Sequence, residues 1–158
     1  MLELGLAPIE RANREGVSSW DFLLDGRRRR RVRATLILDP GLGLVAWVHY
    51  APPLSDSLRK TYRQLLRWND ELPFAKFALS EDERPVLTAE VAGDRLDRDA
   101  LGLTVARLVA ICDLLYDESR SWVDRIKPPA GEAIVPDKSG PALLERYAAE
   151  LRELTEVV

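Results

Sequence analysis

The chain has little of what most enzymes and metalloproteins are built from. Its 158 residues include one cysteine, Cys112, and one histidine, His49. A single thiol cannot close an intrachain disulfide and leaves no multi-cysteine metal site. No metal and no cofactor are expected. The lone cysteine fits a reducing compartment. No run approaches the roughly 18 apolar residues of a membrane span. The opening stretch MLELGLAPIERANREG lacks the basic start and apolar stretch of a secretory signal. A cytoplasmic protein with no membrane contact is therefore expected. There is no basic surplus either: 23 Lys and Arg stand against 26 Asp and Glu, a net charge of −3. Nucleic-acid-binding domains usually carry a strong positive excess. Any basic function must therefore be local.

The remaining composition is that of a globular domain, 46% hydrophobic and 31% charged, with enough length for a core. No repeat is visible. Leu2 to Glu15 reads as a short helix stopped at Gly16. VSSWDFLL, Val17 to Leu24, alternates, with Trp20, Phe22 and Leu24 on one face. Asp25-Gly26 is a hairpin signal. In the next strand Val32, Ala34, Leu36 and Leu38 lie on one side, and Arg31, Arg33, Thr35 and Ile37 on the other. After the turn Asp39-Pro40-Gly41, LGLVAWVHY is apolar on both faces, as a central strand is. Pro52-Pro53 breaks the sheet. Ser55 caps a helix from Asp56 to about Leu72, with Leu58, Tyr62, Leu65, Asn69 and Leu72 inward. PFAKFAL and PVLTAEV form two strands around the charged loop SEDER.

A long helix is expected from Asp97 to about Val123. Leu101, Val105, Leu108, Cys112 and Leu115 make one stripe. Leu103, Val109, Ile111, Leu114 and Tyr116 widen it beyond the roughly 100° that covers one surface. Such a helix must be covered twice. Gly102, Ala106 and Ala110 add a line of small residues that permits close approach. The expected organisation is a domain over 1–126, a Pro/Gly-rich linker over 127–140 and an amphipathic helix over 141–158. Pro141 suits the first turn of that helix.

The stretch from Leu65 to Ser119 resembles the YbjN family of bacterial proteins, named for sensory-transduction regulation. A helix carries Asn69 near its end. A strand pair with an acidic turn follows, from Phe74 to Glu90. LDRDAL, Leu96 to Leu101, then opens a long helix bearing Asp113 and Tyr116. With the N-terminal strands the likeness covers about two-thirds of the chain. It implies the type III secretion chaperone-like fold. That is an α+β arrangement: an antiparallel five-stranded sheet packed against helices in the order α-β-β-β-α-β-β-α, here with an added C-terminal helix. It also implies a homodimer that holds a protein client or regulatory partner without ATP.

Neither unusual residue supports chemistry by itself. His49 has no nucleophile or carboxylate near it in sequence, and Cys112 sits on an apolar stripe, as core filler does. Asn69 either fixes a loop, caps its helix or contacts a ligand. Asp113 either pairs with Arg107, Arg120 or a neighbouring helix, or faces solvent. Asp97 and Asp99 suit the capped, positive end of a helix. Gly41-Leu42-Gly43 lacks the third glycine of a dinucleotide site. No enzyme is expected. The reading is a non-enzymatic, homodimeric binding or chaperone-like regulatory module. Leu103, Ile111, Leu114, Leu144, Leu151 and Leu154 are its candidate partner or dimer surface.

The arginine run Gly26 to Arg33 holds six arginines in eight residues. Arg27, Arg29, Arg31 and Arg33 are the candidate anion-binding residues. Strand register decides between the readings. A two-residue loop would set Trp20 opposite Arg31 and build an aromatic, basic platform for single-stranded nucleic acid. An odd-length loop places Trp20 opposite Val32 and Phe22 opposite Arg30, with Arg31 outward opposite Asp21. Register follows the buried face, so the odd-length loop is expected, with Arg27 to Arg30 solvated at the hairpin tip. Polyanion binding is the alternative function.

Overall fold

A computed structural model describes residues 1–53, 59–123 and 137–156. Six strands form one open antiparallel sheet in the order β1-β2-β3-β4-β6-β5. They are β1 (Glu10–Arg14), β2 (Val17–Leu24), β3 (Val32–Asp39), β4 (Gly43–His49), β5 (Lys76–Leu79) and β6 (Pro85–Val91). The helices are α1 (Arg59–Glu71), α2 (Arg98–Leu114), α3 (Tyr116–Val123), α4 (Ser139–Arg146) and α5 (Arg152–Glu156). The α+β class is as expected, with one strand more than the five anticipated. Among the described residues no helix is long and apolar enough to cross a membrane.

The additional strand is β1, which lies where a short helix was expected. Its sequence, ERANR, is exposed throughout, so it carries no apolar alternation to announce a strand. The turn decides its state. Glu15 and Gly16 both have positive φ, 52° and 86°, as a two-residue turn matching the twist of a hairpin requires. Arg14 then pairs with Val17. A charged edge strand of this kind also discourages sheet-to-sheet association.

The core lies on one face of the sheet. Phe22, Leu24, Val32, Ala34, Leu36, Ala46 and Val48 are all buried there. The β2–β3 register is Leu24 to Val32, Phe22 to Ala34 and Trp20 to Leu36. Trp20 and Phe22 therefore share the valine face, as expected. The pairing is nevertheless offset from the expected one, because the loop runs over seven residues, 25–31. Phe22 meets Ala34 rather than Arg30, and Asp21 meets Thr35 rather than Arg31.

In α1 the buried residues are Thr61, Leu65 and Trp68, with Tyr62 and Asn69 half-buried at the margin. The buried stripe is thus rotated toward the tryptophan, the largest apolar surface available. The expected cap, Ser55, and Leu58 lie outside the described residues. Asn69 ties the helix to β5. Its side-chain amide donates to the Phe77 carbonyl at 3.0 Å, and its Oδ1 accepts from the Phe77 N–H at 2.5 Å.

The expected long helix is two helices, joined at Leu115. No proline or glycine stands there. The break re-aims α3 into an aromatic cluster. Trp122 stacks on Trp68 with centroids 5.9 Å apart, and the Tyr50 ring packs edge-on to Phe77 at 4.8 Å. Ser119 Oγ lies 2.7 Å from Tyr50 Oη. At the other end Asp97 caps α2, accepting from the Ala100 N–H at 2.7 Å.

The second cover of α2 comes from its own chain. Leu143, Leu144 and Tyr147 of the terminal segment are buried, and α4 packs on α2. Gly102 leaves the space that the Tyr147 ring occupies. The expected terminal helix is divided into α4 and α5, which bends the chain to bury Leu154 as well. Each fully buried leucine of this kind contributes about 1.5–3 kcal/mol. Leu144→Ala is expected to lower unfolding stability by about 2–5 kcal/mol. Leu66→Ala, at a site 68% exposed on α1, changes it by less than about 0.5 kcal/mol. Urea denaturation of the two variants checks this contrast.

Candidate functional site

Four of the expected surface residues and one of the expected arginines meet at a single groove. It has a volume of about 360 Å³ and lies between α2, the α4–α5 segment and the arginine loop. Leu114, Leu144, Leu151 and Leu154 line it together with Ala110 and Ala148, and Arg27, Arg28 and Arg152 stand at its polar side. Ile111, also expected at a partner surface, is fully buried in the core. Leu103 is half-buried on α2, outside the groove lining.

The polar side of the groove is built by Asp113. One carboxylate oxygen accepts the Arg27 N–H at 2.6 Å. The other accepts the N–H groups of Arg28 and Arg29 at 3.0 and 2.8 Å. Three successive backbone donors thus close on one carboxylate, a compact charge-assisted anchor. Gly26 is needed beside it, because a Cβ there would overlap the Asp113 carboxylate. The loop is fastened at its base too. Asp25 Oδ1 accepts the Arg31 N–H at 2.8 Å, and the Asp25 N–H donates to Asp137 at 3.1 Å. Asp137 also accepts from the N–H groups of Ser139 and Gly140, at 3.1 and 2.9 Å. The same carboxylate therefore starts α4 and holds it to the loop. The Ser139 hydroxyl, which donates to Asp137 at 2.6 Å, and these N–H groups together outweigh partial burial and keep the Asp137 carboxyl below its ordinary pKa.

The arginine side chains do not form one patch. Arg29, expected to be solvated, is only 6% exposed. Its guanidinium donates to the Tyr50 carbonyl and lies 4.5 Å above the Tyr50 ring. The loop turns it inward because Asp113 holds its backbone against α2. Arg28 pairs with Asp117, Arg30 with Asp25 at 3.3 Å, and Arg33 with Asp21 at 2.6 Å. Arg33 is on the outward face, as expected. Arg31, expected beside it on the strand, is the last loop residue, with φ of 55°. The Arg27 guanidinium has no ion-pair partner among the described residues. None of these roles for Asp113 or Asp137 is visible in the sequence, where both are isolated carboxylates.

Cys112 is fully buried, and burial pushes its thiol up to about 11. That makes it inert core filler at neutral pH. His49 has neighbours that its sequence surroundings do not suggest. Strand pairing brings Thr35 Oγ1 to 3.3 Å from His49 Nε2, and Thr35 Oγ1 lies 2.5 Å from Asp21 Oδ1. A carboxylate only accepts, so the threonine hydroxyl donates to Asp21. His49 must then donate to Thr35 through Nε2. The order is the reverse of a nucleophile activated by an imidazole base. It forms a cross-strand polar ladder on the face away from the helices.

Burial, and then the nearby Arg33 charge, lower the His49 pKa below its ordinary 6.5. The unfolded chain therefore binds the proton first as pH falls. Stability contributed by neutral His49 is present above about pH 6.5 and declines below it. Asp21 is held below its ordinary 3.8, because hydrogen bonds from Thr35 and Arg33 overcome burial. Its contribution is lost only in stronger acid. Replacing His49 with Gln is expected to flatten the fall in urea midpoint between pH 7 and 5 and to leave the fall below pH 4 in place. An unchanged slope between pH 7 and 5 would contradict this assignment.

Among curated proteins no relative matches the chain. The model of one family does, over residues 9–121, which takes in the whole sheet together with α1, α2 and most of α3. The chain therefore belongs to the YbjN family, described as putative bacterial sensory transduction regulators.

Proposed function

We propose that this chain is a non-enzymatic, protein-binding regulatory module that works as a homodimer through the open face of its sheet. The observation that carries this reading is the face left uncovered. Phe22, Ala34, Val48 and Leu87 point toward the helices and are buried. The alternate residues of the same strands point the other way. Trp47 lies at the centre of that outer face, between Thr35 and Thr88 in register. Val45, two residues before it on the strand, and Ile37, which pairs with Val45, lie beside it, both half-buried. No helix among the described residues packs there. Tryptophan is among the residues that carry the most binding energy at protein interfaces, and this one is only half-buried.

The expected dimer surface was a different one, the apolar faces of the long helix and the terminal helix. Ile111, Leu144 and Leu154 are committed to the chain's own core, which leaves less apolar area there for a second subunit. A chaperone-like role in holding an extended client is compatible with the open face, and follows the fold rather than a site. The polyanion alternative has weaker support. Arg29 is buried, Arg28, Arg30 and Arg33 are paired with carboxylates, and Trp20 and Phe22 lie on the opposite face.

Light scattering of the full chain is expected to give twice the monomer mass. Trp47→Glu is expected to shift it to the monomer while its far-ultraviolet circular dichroism stays unchanged. A wild-type monomer across the micromolar range would overturn the dimer. A folded Trp47→Glu dimer would overturn the assigned face.

A further inference from the structure

The groove beside the arginine loop has both halves of an amphipathic binding site. Its walls are aliphatic: Ala110 and Leu114 from α2, Leu144 from α4, then Ala148, Leu151 and Leu154. Its polar side carries three arginines, Arg27, Arg28 and Arg152, against one carboxylate, Asp113. That carboxylate is engaged by three backbone N–H groups, and Arg28 is engaged by Asp117. Arg27 is different. Its backbone is fixed at the mouth by Asp113, while its guanidinium is exposed and has no ion-pair partner among the described residues. A fixed backbone with an uncommitted guanidinium is well placed to take a carboxylate.

We propose that this groove binds a medium-chain fatty carboxylate, with the tail against the leucines and the carboxylate at Arg27. Size and charge select that ligand. The volume of about 360 Å³ is within the range of small-molecule pockets. Decanoate, with its apolar tail and single carboxylate, is a small molecule of that class. An acidic peptide would need more room and more than one free cation. A neutral lipid would leave Arg27 without a role. This site is separate from the open sheet face, so the mass measurement and the binding measurement succeed or fail independently.

The test is calorimetric titration of the full chain with decanoate below its micellar range, with decanol and acetate as companions. Saturable one-to-one decanoate binding is expected, with decanol and acetate each at least about tenfold weaker. Arg27→Ala, which keeps the backbone N–H, is expected to weaken decanoate at least about tenfold. Ala148→Trp, at an exposed position on the groove wall, is expected to abolish binding by filling the space. Thermal melts confirm that both variants remain folded. Absence of saturable binding to the wild type would overturn the proposal. So would decanol binding as tightly as decanoate, or decanoate binding unaltered in both folded variants. Capture of an acidic apolar peptide at this groove, with no response to decanoate, would overturn it too.

Discussion

One carboxylate organises the part of the molecule that looked most functional. Asp113 receives the N–H groups of Arg27, Arg28 and Arg29 in succession. Backbone donors of a seven-residue loop would otherwise need water or would be left unsatisfied against α2. Because the carboxylate takes all three, the loop can lie on the helix instead of standing off it. The directions of these three arginine side chains then follow from that hold. Arg29 is turned into the core onto Tyr50, Arg28 reaches Asp117, and Arg27 is left at the mouth of the groove. The run of positive charge is thereby divided into a buried residue, several ion pairs and one available guanidinium. Its net effect is structural before it is electrostatic.

The same loop connects the sheet to the C-terminal segment. Asp137 accepts the Asp25 N–H and also the first N–H groups of α4. The β2–β3 loop is thus held from two directions, by α2 through Asp113 and by α4 through Asp137. The groove lies on the Asp113 side of this loop. Its existence depends on α4 and α5 returning to cover α2, which the width of the α2 apolar surface demands. Leu143, Leu144, Tyr147 and Leu154 supply that cover. Among the described residues the helices gather on one side, and the other face of the sheet carries Trp47 and the Asp21–Thr35–His49 ladder.

The fold class and the core face of β2 and β3 were legible because alternation is a strong signal where one side is buried. Trp20, Phe22, Val32, Ala34 and Leu36 follow that pattern and share a face. β1 was not legible, because ERANR buries no side chain and is a strand only through backbone pairing and the Glu15-Gly16 turn. The break at Leu115 was hidden for the opposite reason. The apolar periodicity continues through it, and the contacts that require it, Trp122 on Trp68 and Ser119 near Tyr50, are distant in sequence. For the candidate site, one of its arginines, Arg27, and its four leucines could be named individually. Their meeting at one groove could not be foreseen, since it depends on Asp113 and Asp137 reaching across separations of 84 and 112 residues.

The central claim is that the arginine loop is a clasp closed on Asp113, not a mobile cationic arm. Amide hydrogen exchange at Arg27, Arg28 and Arg29 tests it most directly. The clasp predicts that these three amides exchange slowly, through the infrequent openings that expose the core, and that Asp113→Ala releases all three while leaving the central strands protected. Exchange of the three amides in the wild type at the rate of an open surface loop would contradict it.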